Sequence, residues 1–425
     1  MSGRLKDFLL YIQHIRKNGL RNTDYNVLIF ILYGVIFDAL NNMVRPFSVK
    51  FVQRLGGSDF DISLMSSLPG LIAIFAVLPG AILIGRVVNK KRITAVFFAI
   101  SRTFILSLTI IPFLPAQIQA IVFVLVFSLM NLPDSISQTS LQGYLGDIFP
   151  ANRRAMSLAL RNKYGNISVL VVIFISGLIL NFAVHSNAGK IRAYQIFLII
   201  AFIMAIFEIF VFLKFKEPKQ TAVQTEKIQI KSVLAGIFKD KKFRAFQLTT
   251  IVFYFAWYMG WPLGNIIFIN NIQANELWVA INTIASVLII ALTSTFWGKK
   301  VQKHSNAPVL SFCAVGMGLT IAATPWAFNA LSYVIITAVV AFFLSGLNIA
   351  LFNGLLEATP DKNRVIYIGV FNTVTSVALA AAPFVSIFIS DRIGYKALGA
   401  IIGCMRFLGA GVVFAGYLYK KRKNS

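Results

Sequence analysis

"LGDIFPANRRAMSLALRN" (residues 145–162) and "LLEATPDKNRVIYIGVFN" (residues 355–372) carry the same punctuation 210 residues apart. In each, an acid (Asp147, Glu357) precedes a proline by three residues (Pro150, Pro360). An arginine stands four beyond the proline (Arg154, Arg364), and an asparagine eight beyond that (Asn162, Asn372). Proline disfavours helix in the residue before it, so each copy reads as the end of one helix and the turn into the next. The repeat extends outward. Pro46 in "VRPFSVKF" answers Pro262 in "GWPLGNII" at an offset of 216, and Gly85 in "IGRVVNKK" answers Gly298 in "WGKKVQKH" at 213. Offsets that shrink in order along the chain describe two halves of common design with small loop deletions.

Between these marks the chain is apolar. It is 57% hydrophobic and only 13% charged over 425 residues, with 39 Phe and a mean hydropathy of +0.76. Soluble domains run about 25% charged, so water is not the solvent this chain is built for. Apolar stretches of about 20 residues, the length a helix needs to cross a bilayer core, recur throughout. They predict twelve spans at 26–48, 62–84, 93–114, 118–142, 160–184, 193–215, 246–270, 278–298, 307–328, 331–354, 366–390 and 397–419. The expected fold class is an all-α polytopic membrane protein, two pseudo-symmetric bundles of six helices. The expected organisation is an amphipathic N-terminal helix over 1–24, a first bundle over 25–215, a polar central loop over 216–245, a second bundle over 246–419 and a basic tail over 420–425.

A net charge of +25 would suggest nucleic acid in a soluble chain. Here the distribution of charge excludes that partner. With both termini on one side, 31 Lys and Arg fall on that side and 7 on the other, while Arg102 and Arg406 lie within spans. The positive-inside rule then places both termini in the cytoplasm of a multi-pass protein of the cell membrane, with membrane lipids as attendant partners. Cys313 and Cys404 lie in different apolar spans and read as small hydrophobes. His14, His185 and His304 are scattered, so neither a metal site nor a cofactor is expected. The N-terminus lacks the apolar core and cleavage site of a signal peptide, and spaces Leu5, Phe8, Leu9, Ile12 and Ile15 along one interfacial face.

Asp147-Ile-Phe-Pro150-Ala-Asn-Arg-Arg154 resembles the acid-x-x-Pro-x-x-x-Arg motif that follows the fourth helix in the major facilitator superfamily, and Glu357 to Arg364 is similar in the place expected after the tenth. The resemblance covers essentially the whole chain. The superfamily's basic loop after helix two is degraded: "GAILIGRVVNKKR" keeps Gly80, Arg86, Lys90, Lys91 and Arg92 but lacks the aspartate. The helix-four arginine and the helix-five antiporter motif of drug exporters have no counterpart. The resemblance implies a carrier that rocks two halves about a central cavity, with Asp147, Arg154, Glu357, Arg364 and Arg86 as a cytoplasmic charge gate. Without the resemblance, the same residues read as helix ends that obey the positive-inside rule.

Ionisable groups at mid-bilayer are costly and are functional candidates by default. Asp38, Asp134 and Arg102 lie deep in spans one, four and three. By resemblance Asp38 and Asp134 share the cavity wall of the first half, which makes them, with Arg102, the candidates for proton coupling. A static ion pair between either acid and Arg102 is the competing reading. Arg406 is assigned to packing or lipid contact, and Arg161 and Lys163 to structural snorkelling. The second half offers Trp257, Tyr258, Trp261 and Asn265 on span seven and Asn348 and Asn353 on span ten as a substrate cavity for an amphipathic solute; an interfacial aromatic belt is the alternative for the rings.

The expected function is secondary active transport by alternating access, as a monomer. Proton-coupled export of a small amphipathic or hydrophobic compound comes first, and uptake of a small polar metabolite such as a sugar second. A membrane sensor or a lipid-modifying enzyme is the outlying alternative, since no nucleophile, base or metal cluster gathers at a membrane face. No Gly-x-x-x-x-Gly-Lys-Ser/Thr loop occurs to bind ATP.

Overall fold

The computed structural model describes residues 22–86, 89–149, 151–183, 186–217, 230–360 and 364–424. The interfacial helix expected over 1–24 lies almost wholly outside them. The described chain is helical and crosses the molecule twelve times. Span 1 is Asn22–Val44, prolonged by a 3-10 turn (Arg45–Phe47) and the short helix Ser48–Arg54. Span 2 is Asp59–Arg86, span 3 Lys90–Leu108, and span 4 joins Ala116–Leu129 to Asn131–Ile148. Span 5 is Ala151–Leu178 and span 6 Asn187–Leu213. A short helix, Ile230–Lys239, leads into span 7, Lys241–Ile266. Span 8 is Glu276–His304, span 9 Asn306–Ala323 and span 10 Ala330–Ala358. Spans 11 and 12 run almost continuously over 364–424, broken only where Gly394 adopts φ 81°, a conformation glycine takes without steric cost.

Side-chain caps set many of the helix starts. Asn89 accepts from Arg92 N, Ser186 from Gly189 N, Asp240 from Lys242 N and Phe243 N, and Asn275 from Trp278 N. Asn329 and Ser332 form a reciprocal capping box at span 10. Each cap satisfies orphan N–H groups where the chain turns at a membrane face.

Within the first half, span 1 packs on spans 5 and 6, and span 4 on spans 2 and 3. The second half repeats this with spans 8, 9 and 10. The halves meet where span 2 lies on span 11 and span 5 on span 8. Gly70 makes the first contact possible, because a Cβ there would stand 2.6 Å from Ala380 N.

The apolar cores locate the cleft. We call the side holding Asn22 and Asn424 the terminal face and the other the far face. One buried cluster is shared by both halves, joining Phe47, Phe51 and Leu55 to Phe268, Ala274 and Ala280 toward the far face. Toward the terminal face the cores separate: Phe30, Tyr33 and Phe212 belong to a cluster of the first half alone, and Val309, Leu351 and Phe371 to clusters of the second. Among the described residues, the halves share a buried core toward the far face and none toward the terminal face.

Candidate functional site

Charged groups in the first half are gathered into two neutral sets. In one, Arg161 Nη2 donates to Asp38 Oδ1 at 2.8 Å, joining span 5 to span 1. Asp38 lies sixteen residues into span 1, about 24 Å along it. Both side chains remain partly exposed, at 17% and 14%. A charged pair left open at that depth borders a wet cleft, since hydrocarbon would not solvate it. Two glycines make the pair possible: Gly34 leaves room for the Arg161 stem, and Gly165 for the Asp38 carboxylate.

The second set is a chain of alternating charge, buried except at Arg45, whose side chain is 37% exposed. Arg45 Nη2 reaches Asp134 Oδ2 at 3.1 Å, Arg102 Nη1 reaches Asp134 Oδ1 at 3.4 Å, and Arg102 grips both oxygens of Glu208 at 2.9 and 3.0 Å. Arg102 is 1% exposed and Glu208 0%. Buried charges persist only when paired and hydrogen-bonded, and two arginines against two carboxylates meet that condition. The sets touch through Phe37, whose ring lies 5.7 Å from the Arg161 guanidinium and 5.6 Å from that of Arg102.

Of the residues singled out in the sequence, the structure brings Asp134 and Arg102 together and places Asp38 with a different partner, Arg161. That revises the reading of Arg161 as a snorkelling residue. Arg45, one of the seven basic residues that the charge count assigns to the far side, turns inward at the 3-10 turn to reach Asp134. Glu208 escaped the sequence reading altogether. Its signal was present, a lone acid in "IMAIFEIFVFL", and a mid-membrane Arg102 needed a bidentate partner.

Arg406 is 2% exposed, so the lipid contact considered for it is corrected to internal packing: Nη1 donates to the Met317 carbonyl at 2.8 Å, and Nη2 lies 3.5 Å from the carbonyls of Ala256 and Trp257.

In the second half the rings of span 7 form a ladder. Tyr254 and Trp257 stack at 5.7 Å and 15°, Tyr258 meets Trp261 edge-on at 5.0 Å, and Phe371 of span 11 closes on Tyr254 at 5.8 Å. Trp261 is 43% exposed, while Trp257, Tyr258 and Asn265 are half-buried. The ladder straddles the midpoint of the 31-residue segment Lys241–Asn271, away from the two ends where an interfacial belt would stand. Asn348 is exposed on span 10, and Asn353 borders an opening at the terminal face beside Lys303 and His304.

The two copies of the acid-proline-arginine motif lie on the same face, at the terminal ends of spans 4 and 10. The side chains of Asp147, Arg154, Arg364 and Arg86 lie outside the described set. Glu357 is exposed, and its main-chain carbonyl accepts from Lys242 Nζ.

At the far face the halves are clasped. Glu276, at the first turn of span 8, is fully buried and receives Arg54 Nε at 2.5 Å and Lys190 Nζ at 3.0 Å. Gln53 bonds Asn270, Asn270 bonds Asp59, and Tyr395 donates to Asp59 at 3.0 Å. Among the described residues, every hydrogen bond or ion pair recorded between the halves lies in the far-face half of the molecule, the deepest being Ser63 Oγ to the Pro383 carbonyl at 3.1 Å. No group of His, Cys, Asp or Glu among the described residues could hold a metal, and both cysteines are free.

The sequence model of the Major Facilitator Superfamily matches residues 28–268 and again 246–425. The chain belongs to that superfamily. It is thus a multi-pass membrane transporter and not an enzyme. No curated protein matches it in sequence. Among solved structures it is similar to a mutant of the nucleoside transporter NupG, at 14% identity and a TM-score of 0.68, over 92% of this chain and 99% of that one. It is equally similar to a D-xylose-proton symporter, at 14% identity and 0.68, over 91% and 96%. These likenesses show the fold.

Proposed function

We propose that this superfamily member is a monomeric, proton-coupled carrier that exports a small amphipathic compound across the cell membrane, with its terminal face in the cytoplasm. The observation that carries the reading is the Asp38–Arg161 pair, 2.8 Å long and open to the cleft at mid-membrane depth. The polar end of a solute competes with Arg161 for the Asp38 carboxylate, and its flat apolar part lies on the ladder of Tyr254, Trp257, Tyr258 and Trp261. A proton bound at Asp38 cancels the charge that holds the solute and lets it leave, so proton and solute exchange. Asp134, held by Arg45 and Arg102, is the second acid through which protonation alters span packing.

The charge bias supports the orientation: Lys91, Lys214, Lys216, Lys239, Lys241 and Arg244 crowd the terminal face. The cleft is then open to the cytoplasm, and the motif residues Asp147, Arg154, Glu357, Arg364 and Arg86 are the groups that close it in the opposite state.

A second reading, proton-driven uptake of a small polar metabolite such as a sugar, draws support from the likeness to a D-xylose-proton symporter and from the amides Asn41, Asn42 and Asn265. Vesicles containing the purified protein and a pH-sensitive dye separate the two. Under export, a solute gradient drives protons in the direction opposite to the solute; under uptake, in the same direction. In Asp38→Asn, which mimics the protonated carboxyl, solute binding weakens and solute-driven proton movement stops. Proton movement at the wild-type rate in that variant would refute the assignment.

A further inference from the structure

The two halves differ at one equivalent place. At the terminal end of the first half, spans 1, 3, 4 and 6 close on a solid aromatic core that includes Phe30, Tyr33, Phe98, Tyr144 and Phe212. The equivalent spans of the second half, 7, 9, 10 and 12, border a half-open cavity of ≈ 930 Å³. That lies within the roughly 300–1,000 Å³ of small-molecule sites. The hollow is written in the sequence. At the offset of 216 that relates Pro46 to Pro262, Ile29 falls on Ala245 and Tyr33 on Thr249; at the offset of 210 that relates the motif copies, Tyr144 falls on Gly354 and Ile148 on Ala358. All four small residues line the cavity.

Protein interiors are close-packed, so a void of this size in one of two equivalent bundles leaves its walls without contacts. The walls are apolar, with Phe246, Leu310, Ala350 and Val413. The mouth is not: Lys241, Lys242, Glu357, Ser305 and Asn306 gather there. One observation at the mouth points to a ligand. Asn306 is only 8% exposed, yet its Oδ1 has no hydrogen-bond partner among the described residues, a buried acceptor waiting for a donor.

We propose that this cavity binds one anionic glycerophospholipid of the surrounding bilayer whose headgroup carries a hydroxyl, phosphatidylglycerol being the simplest. An acyl chain fills the hollow, the phosphate sits between Lys241 and Lys242, and the headgroup hydroxyl donates to Asn306 Oδ1. The mouth lies at the terminal ends of these spans, the depth at which phospholipid headgroups stand, and the two lysines outweigh the single Glu357 there. The lipid completes the second half as its own aromatic rings complete the first.

The test is retention of added lipid by the delipidated full-length protein, read by native mass spectrometry with phosphatidylglycerol or phosphatidylcholine. The wild type is expected to hold one phosphatidylglycerol in preference to phosphatidylcholine. Removing both lysines (Lys241→Ala with Lys242→Ala) is expected to weaken retention about tenfold, through loss of charge-assisted contacts. Thr249→Tyr, which restores the ring found at the equivalent place in the first half, fills the hollow and is expected to abolish retention while raising the melting temperature in lipid-free detergent. Equal retention of the two lipids by the wild type, or wild-type retention by both the lysine variant and Thr249→Tyr, would overturn the proposal.

Discussion

Gly165 on span 5 faces the carboxylate of Asp38 on span 1, and the volume a methyl group would need at residue 165 is already filled by Asp38 Oδ2. A single hydrogen atom in place of a side chain thus sets where the acid points, and hence that it reaches Arg161. Gly165→Ala is expected to push Asp38 off Arg161 at an overpacking cost of about 1–3 kcal/mol. Solute-driven proton movement in vesicles should fall with it, while Gly236→Ala, where a Cβ would meet nothing within 4 Å, leaves it unchanged.

The two buried arginines answer differently to the same substitution. Arg102 holds two carboxylates, so Arg102→Met strands the fully buried Glu208, leaves Asp134 with Arg45 alone, and is expected to cost about 3–5 kcal/mol. Arg406 touches only main-chain carbonyls, and its Nε has no partner, so Arg406→Met strands no charge. The expected change there is within about 1.5 kcal/mol, of either sign. Thermal unfolding of both variants in one detergent checks the contrast. An Arg406→Met variant as unstable as Arg102→Met would contradict it.

The aromatic ladder is expected to supply solute affinity without supporting the fold. Trp261 is largely exposed and leans edge-on to Tyr258. Trp261→Ala is expected to weaken solute binding about tenfold, at the scale of one aromatic contact, with an unchanged melting temperature. Binding-induced thermal stabilisation across a solute panel measures both quantities in one assay.

Much of this architecture is legible in the sequence because the bilayer constrains it so tightly. Length, hydropathy and the duplicated Asp147–Arg154 and Glu357–Arg364 punctuation were enough for twelve spans in two halves. The partners within the membrane were not legible, because pairing depends on which way each helix turns. Asp38 goes to Arg161 through the gap at Gly165, and nothing in the spacing of residues 38 and 161 announces it. Arg45 falls near the end of the span read at 26–48, and its spacing does not show that a 3-10 turn of only three residues carries it inward. The far-face clasp is hidden for the same reason: Arg54, Lys190 and Glu276 sit at the ends of three different helices and meet only once the halves close.

That clasp carries the central claim, that the halves swing about the cleft as two bodies. Glu276 is buried beneath Arg54 and Lys190, so Glu276→Gln leaves both cations without their carboxylate and is expected to favour the state open at the far face. The direct measurement is electron spin resonance distance between labels at Ser58 and Gln273 on the far face, and between labels at Arg92 and His304 on the terminal face. In Glu276→Gln the first distance should lengthen and the second shorten. Two distances that change in the same direction, or a far-face distance that stays at its wild-type value, would contradict the account.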